Sequence, residues 1–100
     1  MHWAKTLQRN LELTLHYVDQ AARSGSRVVL FPEANLTSYY FPYLVQLPQG
    51  QVQAALDELC AASKHNNIWV IAGTIRQTNN RFLNLAHVIS PSFGIVHEYA

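Results

Sequence analysis

The sequence predicts an α/β fold: a mixed sheet in which a strand–helix–strand unit is followed by a β-hairpin. Three observations carry that expectation. Two stretches space their apolar residues at three- and four-residue steps. Two short runs, "VVLF" and "WVIA", are apolar throughout and flank the second of those stretches. The last third alternates short apolar runs with polar turns.

The first helix is expected from residue 3 to about residue 24. Leu7, Leu11, Leu15, Val18 and Ala22 form one apolar stripe, and Gln8, Arg9, Glu12 and Gln20 fall off it. Gly25 suits the left-handed conformation that ends a helix. "RVVLF" then reads as a strand buried on both faces, as in a parallel sheet. Residues 32–50 read as irregular, with aromatic side chains and the prolines Pro42 and Pro48. A second helix fits residues 51 to about 65, with Val52, Ala55, Leu56, Leu59 and Ala62 inward and Asn66 and Asn67 at its end. "IWVIAGTI" is a second buried strand, "FLNLAHVIS" a third and "IVHEY" a fourth, separated by the turns "QTNNR" and "PSFG". The first two strands should run parallel, joined by a right-handed crossover, and the later ones antiparallel.

Composition narrows the function classes. A chain of 100 residues with 49% hydrophobic residues suits one globular unit with a modest core. The net charge of +1 and the scattered placement of seven Lys and Arg residues argue against nucleic acid as a partner. The apolar runs are too short to span a membrane. The single cysteine, Cys60, excludes an internal disulfide framework and suggests a cytoplasmic, reducing setting.

Glu33 is the first candidate for chemistry. In open sheets of this type, ligands bind beyond the carboxyl ends of the strands, and Glu33 follows the first strand at once. Pro32 stiffens the backbone there and donates no hydrogen bond. A carboxylate beside apolar walls can serve as a general base, although a loop glutamate that caps the next turn fits the same position. Tyr39 and Tyr40 are candidates for a pocket wall, against ordinary packing of the loop. Cys60 falls beside the buried face of the second helix, where a thiol without a base is an inert small hydrophobe. Nearby His65 is better placed to favour that helix's C-terminus. Five histidines show no metal-ligand spacing; His87 and His97 lie on strands that can pair, and structural roles fit them best. Asn84 is expected to fix the hairpin by hydrogen bonds. Four isolated glycines make no phosphate loop, which counts against a flavodoxin-like ligand-binding domain.

"VVLFPEANLTSYY" resembles the "FPE" segment of the carbon–nitrogen hydrolase, or nitrilase, superfamily. The preceding "RNLELTLHYVDQAARSGSRVV", the strand "WVIAGTI" and the hairpin "FLNLAHVISPSFGIVHEY" are similar to family segments in the same order, with Asn84, Gly94 and Tyr99 in the expected places. The resemblance implies an α-β-β-α sandwich, of which residues 1–100 form a partial domain without its first strand and C-terminal part. It implies hydrolysis of a nonpeptide carbon–nitrogen bond in an amide, carbamoyl compound or nitrile, by a glutamate, a lysine and a cysteine. Of these only Glu33 has a counterpart here, so the chain alone should be inactive; a non-catalytic binding or interaction module on the same fold is the alternative. No metal or organic cofactor is implied. The implied partners are a small amide or nitrile and, for the parent, further copies of itself in a homo-oligomer. Ser38 stands where many members have glycine, and Arg76 and Gln77 stand where many carry a second glutamate that supports the lysine. Unpaired edges and an apolar face should make the isolated chain prone to aggregate.

Overall fold

The computed structural model describes residues 6–78 and 81–100. In chain order the elements are α1 (Leu7–Arg23), β1 (Val28–Leu30), α2 (Phe41–Leu44), α3 (Gln49–Asn66), β2 (Trp69–Thr78), β3 (Arg81–Ser90) and β4 (Gly94–Tyr99). The four strands form one sheet in the order β1-β2-β3-β4. β1 pairs parallel to β2, with Val29 beside Val70; β2–β3 and β3–β4 are antiparallel. This is the mixed α/β sheet expected. Trp3, the expected start of α1, and the Asn79–Asn80 tip of the first turn lie outside the described residues.

The helices form where the apolar spacing places them. Leu7, Leu11 and Val18 of α1, and Val52, Ala55, Leu56 and Leu59 of α3, are buried in one core with Val70, Ala72 and Ile89 of the sheet. α3 packs on β2, β3 and β4, and α1 packs on α3 and β1. Gly25 closes α1 with φ 82°, and Asn67 closes α3 with φ 51°, both left-handed. Ser63 reinforces that second end by donating its hydroxyl to the Ile68 carbonyl at 2.6 Å.

Two expectations are corrected. β1 is not buried on both faces: Val28 is 54% and Leu30 72% exposed, and only Val29 points toward the core. The reason is packing. α1 covers one face of β1 and leaves Val28 and Leu30 on the other face exposed. Residues 32–50 are also not wholly irregular. Pro42 lies in the first turn of α2, where its missing N–H costs nothing, and Pro48 is the N-cap of α3. The hydroxyl of Tyr43 in α2 accepts the Leu7 backbone N–H at 3.0 Å and so satisfies one open donor at the start of α1.

Candidate active site

The loop after β1 is held against β2 by polar side chains in place of a strand ladder. Phe31 N–H still donates to the Ile71 carbonyl at 2.9 Å, and then pairing stops. Beyond that point the Asn35 carboxamide oxygen accepts the Gly73 N–H at 2.8 Å, Leu36 N–H donates to the Gly73 carbonyl at 3.0 Å, and the Thr37 hydroxyl accepts the Ile75 N–H at 2.7 Å. The buried backbone of β2 is thereby satisfied without another strand.

α1 completes this web. Asn35 donates its side-chain NH₂ to the Thr14 hydroxyl at 3.0 Å, Thr14 donates to the Asn10 carbonyl at 2.7 Å, and Asn10 donates to the Leu36 carbonyl at 3.1 Å. Asn10, Thr14, Asn35 and Thr37 are all buried. Gly73 makes the close approach possible, since a Cβ there would overlap the Ala34 backbone nitrogen. None of these five residues was singled out from the sequence. A signal existed for two of them: Asn10 and Thr14, four residues apart, sit within the buried face of Leu7, Leu11 and Val18.

The loop carries Glu33 to the rim of a cavity of about 360 Å³, whose walls are mainly apolar: Phe31, Ile71, Leu85, Ala86 and Tyr99 among them. The Asn84 side-chain NH₂ donates to the Glu33 carboxylate. The same group lies 3.3 Å from the Tyr39 hydroxyl. Burial pushes the Tyr39 phenol above its ordinary range, and the hydrogen bond to Glu33 and that carboxylate's charge push it the same way. Tyr39 therefore keeps its proton at neutral pH and donates it to Glu33. Two neutral donors hold the carboxylate and leave its charge uncancelled.

Asn84 is thus a correction. Its side chain does not pin the hairpin; it reaches Glu33 and Tyr39. Tyr39 touches Glu33, but neither it nor Tyr40, the N-cap residue of α2, is among the residues that line the cavity. Cys60 lies elsewhere, half-buried against Ile95 at the start of β4, and burial followed by the nearby Asp57 charge pushes its thiol up. Neither lysine nor cysteine is among the residues lining the Glu33 cavity. His87 and His97 do not meet: His87 is buried on β3, while His97 is exposed on β4 with its ring 4.3 Å from that of Tyr99. Among the described residues no cluster of three or more His, Cys, Asp or Glu could hold a metal, and no helix is long and apolar enough to cross a membrane.

Ser38 occupies a left-handed backbone position, φ 61°, as a glycine would. Its hydroxyl is buried and without a hydrogen-bond partner among the described residues. Arg76 does not replace the missing second glutamate near Glu33; it pairs with Glu98 on β4 at 3.2 Å.

The family model for carbon–nitrogen hydrolases matches residues 1–100. The chain belongs to the carbon–nitrogen hydrolase family. A curated cyanide hydratase of Penicillium rubens is 24% identical over 106 residues, which cover 92% of this chain and 30% of that protein. Among solved structures, an amidase from Nesterenkonia sp. AN1 in complex with acrylamide superposes with a TM-score of 0.85 at 18% identity, covering 99% of this chain and 38% of the amidase. A glutamine-dependent NAD+ synthetase from Acinetobacter baumannii superposes with a TM-score of 0.77 at 19% identity, over 95% of this chain and 18% of the synthetase. These likenesses show the fold. The chain spans about a third of the curated relative and under two-fifths of that amidase.

Proposed function

We propose that Glu33 is the general base of a carbon–nitrogen hydrolase site acting on an amide, carbamoyl compound or nitrile, and that residues 1–100 furnish one part of that site. The observation that carries this reading is the convergence of Asn84 and Tyr39 on the Glu33 carboxylate at the mouth of an apolar cavity. A base must present a lone pair in a fixed direction, and two donors on a rigid strand and a tethered loop provide that. Family membership supplies the reaction class. The Nesterenkonia amidase has been captured with acrylamide and with butyramide, which makes small neutral amides the first substrates to try.

In this reading Glu33 takes the proton of a cysteine thiol as the sulfur attacks the amide carbon. The tetrahedral intermediate collapses to a thioester as protonated Glu33 returns that proton to the leaving nitrogen, which departs as ammonia. Glu33 then takes a proton from the water that cleaves the thioester and restores the thiol. A lysine stabilises the oxyanion on the way. The cavity walls contain neither of those two partners, and Cys60 is an unsuitable substitute because its thiol is pushed up and held under β4.

Ammonia release from butyramide, acrylamide and a simple nitrile tests the proposal. Residues 1–100 should release none. A polypeptide that joins residues 1–100 to the lysine- and cysteine-bearing remainder of such a site should turn over, and Glu33→Gln should reduce its kcat by about 10²- to 10⁴-fold. Turnover by residues 1–100 would overturn the incomplete-site part of the proposal, and unchanged turnover by Glu33→Gln would overturn the role of Glu33. Such a joined polypeptide that binds amides without turnover would instead mark a binding module on this fold.

A further inference from the structure

A second polar cluster lies in the same sheet and takes no part in the reading above. His87 of β3 is fully buried, at 0% exposure. Its Nδ1 lies 2.6 Å from Glu98 Oε2 on β4, and its Nε2 lies 2.7 Å from Thr74 Oγ1 on β2. Arg76 Nη2 reaches the same Glu98 oxygen at 3.2 Å. An ionised carboxylate only accepts, so Nδ1 carries the imidazole proton. Nε2 is then an acceptor, and the Thr74 hydroxyl donates to it.

We propose that Thr74, His87 and Glu98 form a proton-sensitive latch that fixes β4 on the sheet, and that acid loosens it. β4 needs such a tie. It lies at one edge of the sheet, its register against β3 slips at Val88/Ile89, and its residues from Val96 to Tyr99 are exposed. The His87–Glu98 contact joins a directly opposed cross-strand pair, and Thr74 extends it to a third strand.

Protonation works against the latch for two reasons. A second ring proton turns Nε2 into a donor, so the Thr74 hydroxyl must accept and its own hydrogen loses its partner in a buried place. The new charge also enters a fully buried position. Its Glu98 partner is 35% exposed and already shared with Arg76, so solvent and the guanidinium weaken the compensating attraction. Among the described residues no other charge offsets this. The buried face of α3, formed by Val52, Ala55, Leu56, Leu59 and Ser63, brings no ionisable group, and the flanking Cys60 thiol lies against Ile95. Burial accordingly holds the imidazole below its ordinary range, against the opposing pull of Glu98. β4 also carries Tyr99 into the wall of the Glu33 cavity, so the latch sets that wall whatever reaction the cavity serves.

Amide hydrogen exchange on residues 1–100, corrected for intrinsic rates, tests this from about pH 7.5 to about pH 5.5. β4 amides should open more often as pH falls below about 6.5, by up to about tenfold per pH unit, while the central β2 and β3 amides keep their protection. In His87→Gln the β4 amides should exchange faster at the upper pH and lose that pH dependence. The wild-type imidazole, followed by nitrogen NMR, should remain the Nδ1–H tautomer down to the pH at which β4 opens; this second readout stands even where the variant fails to fold. A β4 opening rate that ignores pH, an unchanged pH dependence in His87→Gln, or His87 titrating at or above its ordinary value would each overturn the latch.

Discussion

β3 carries two polar side chains, three residues apart, that the strand sends to opposite faces of the sheet. Asn84 looks toward the loop after β1 and meets Glu33 and Tyr39 at an open cavity. His87 looks toward the helices and meets Thr74 and Glu98 under them. The first cluster presents a carboxylate to whatever enters the cavity. The second is closed, each of its groups partnered by protein, and its work is to hold strands together. The difference teaches what burial does to equivalent chemistry. The same strand can display a base on one side and use an acid–base pair as a fastener on the other.

Substitutions can break or sharpen that contrast. The largest expected effect comes from Gly73→Ala, because the added methyl strikes the Ala34 backbone and displaces the loop that carries Glu33. It should destabilise the chain by about 3 kcal/mol, the upper range for overpacking, as read by urea unfolding. His87→Leu should cost about 2 kcal/mol, since it strands the buried Thr74 hydroxyl. It should also remove the acid sensitivity of wild type. The sign follows from the lowered pKa of His87: the unfolded chain binds the proton more readily, so stability is full above about pH 6.5 and is lost as pH falls through the folded value.

Smaller changes follow at the open cluster. Ser38→Gly should stabilise by about 1 kcal/mol, because it relieves a left-handed serine and removes a buried hydroxyl with no partner among the described residues. The smallest stability change should come from Asn84→Ala, within about 0.5 kcal/mol, as expected where a hydrogen bond is open to solvent. Its mark should be chemical. The Tyr39 phenol should titrate higher without the Asn84 donor, whereas Glu33→Gln should bring it down toward its ordinary value. Ultraviolet difference titration against Tyr39→Phe reads both shifts.

Much of the fold is legible in the sequence because burial leaves a periodic trace. The stripes of α1 and α3 and the apolar run of β2 mark what faces the core. The open face of β1 leaves no such trace: "VVL" reads the same whether one face or two is covered, and only what packs on each face decides. The web under the loop is hidden for a different reason. Asn10, Thr14, Asn35 and Thr37 are residue types usually found in water, and what buries them is a shortage of strand partners along β2, a tertiary fact. Glu33 is visible as a carboxylate just past a strand end. Its partner Asn84 lies 51 residues away, and only the antiparallel register that sets Asn84 beside Ile75 brings it to the loop.

The most direct measurement of the central claim is the kcat on butyramide of a polypeptide that joins residues 1–100 to the lysine- and cysteine-bearing remainder of such a site, with glutamate and then with glutamine at residue 33. A fall of about a hundredfold or more, with thermal unfolding unmoved, is the predicted result. Equal rates from both proteins would contradict the assignment of this carboxylate as the proton acceptor.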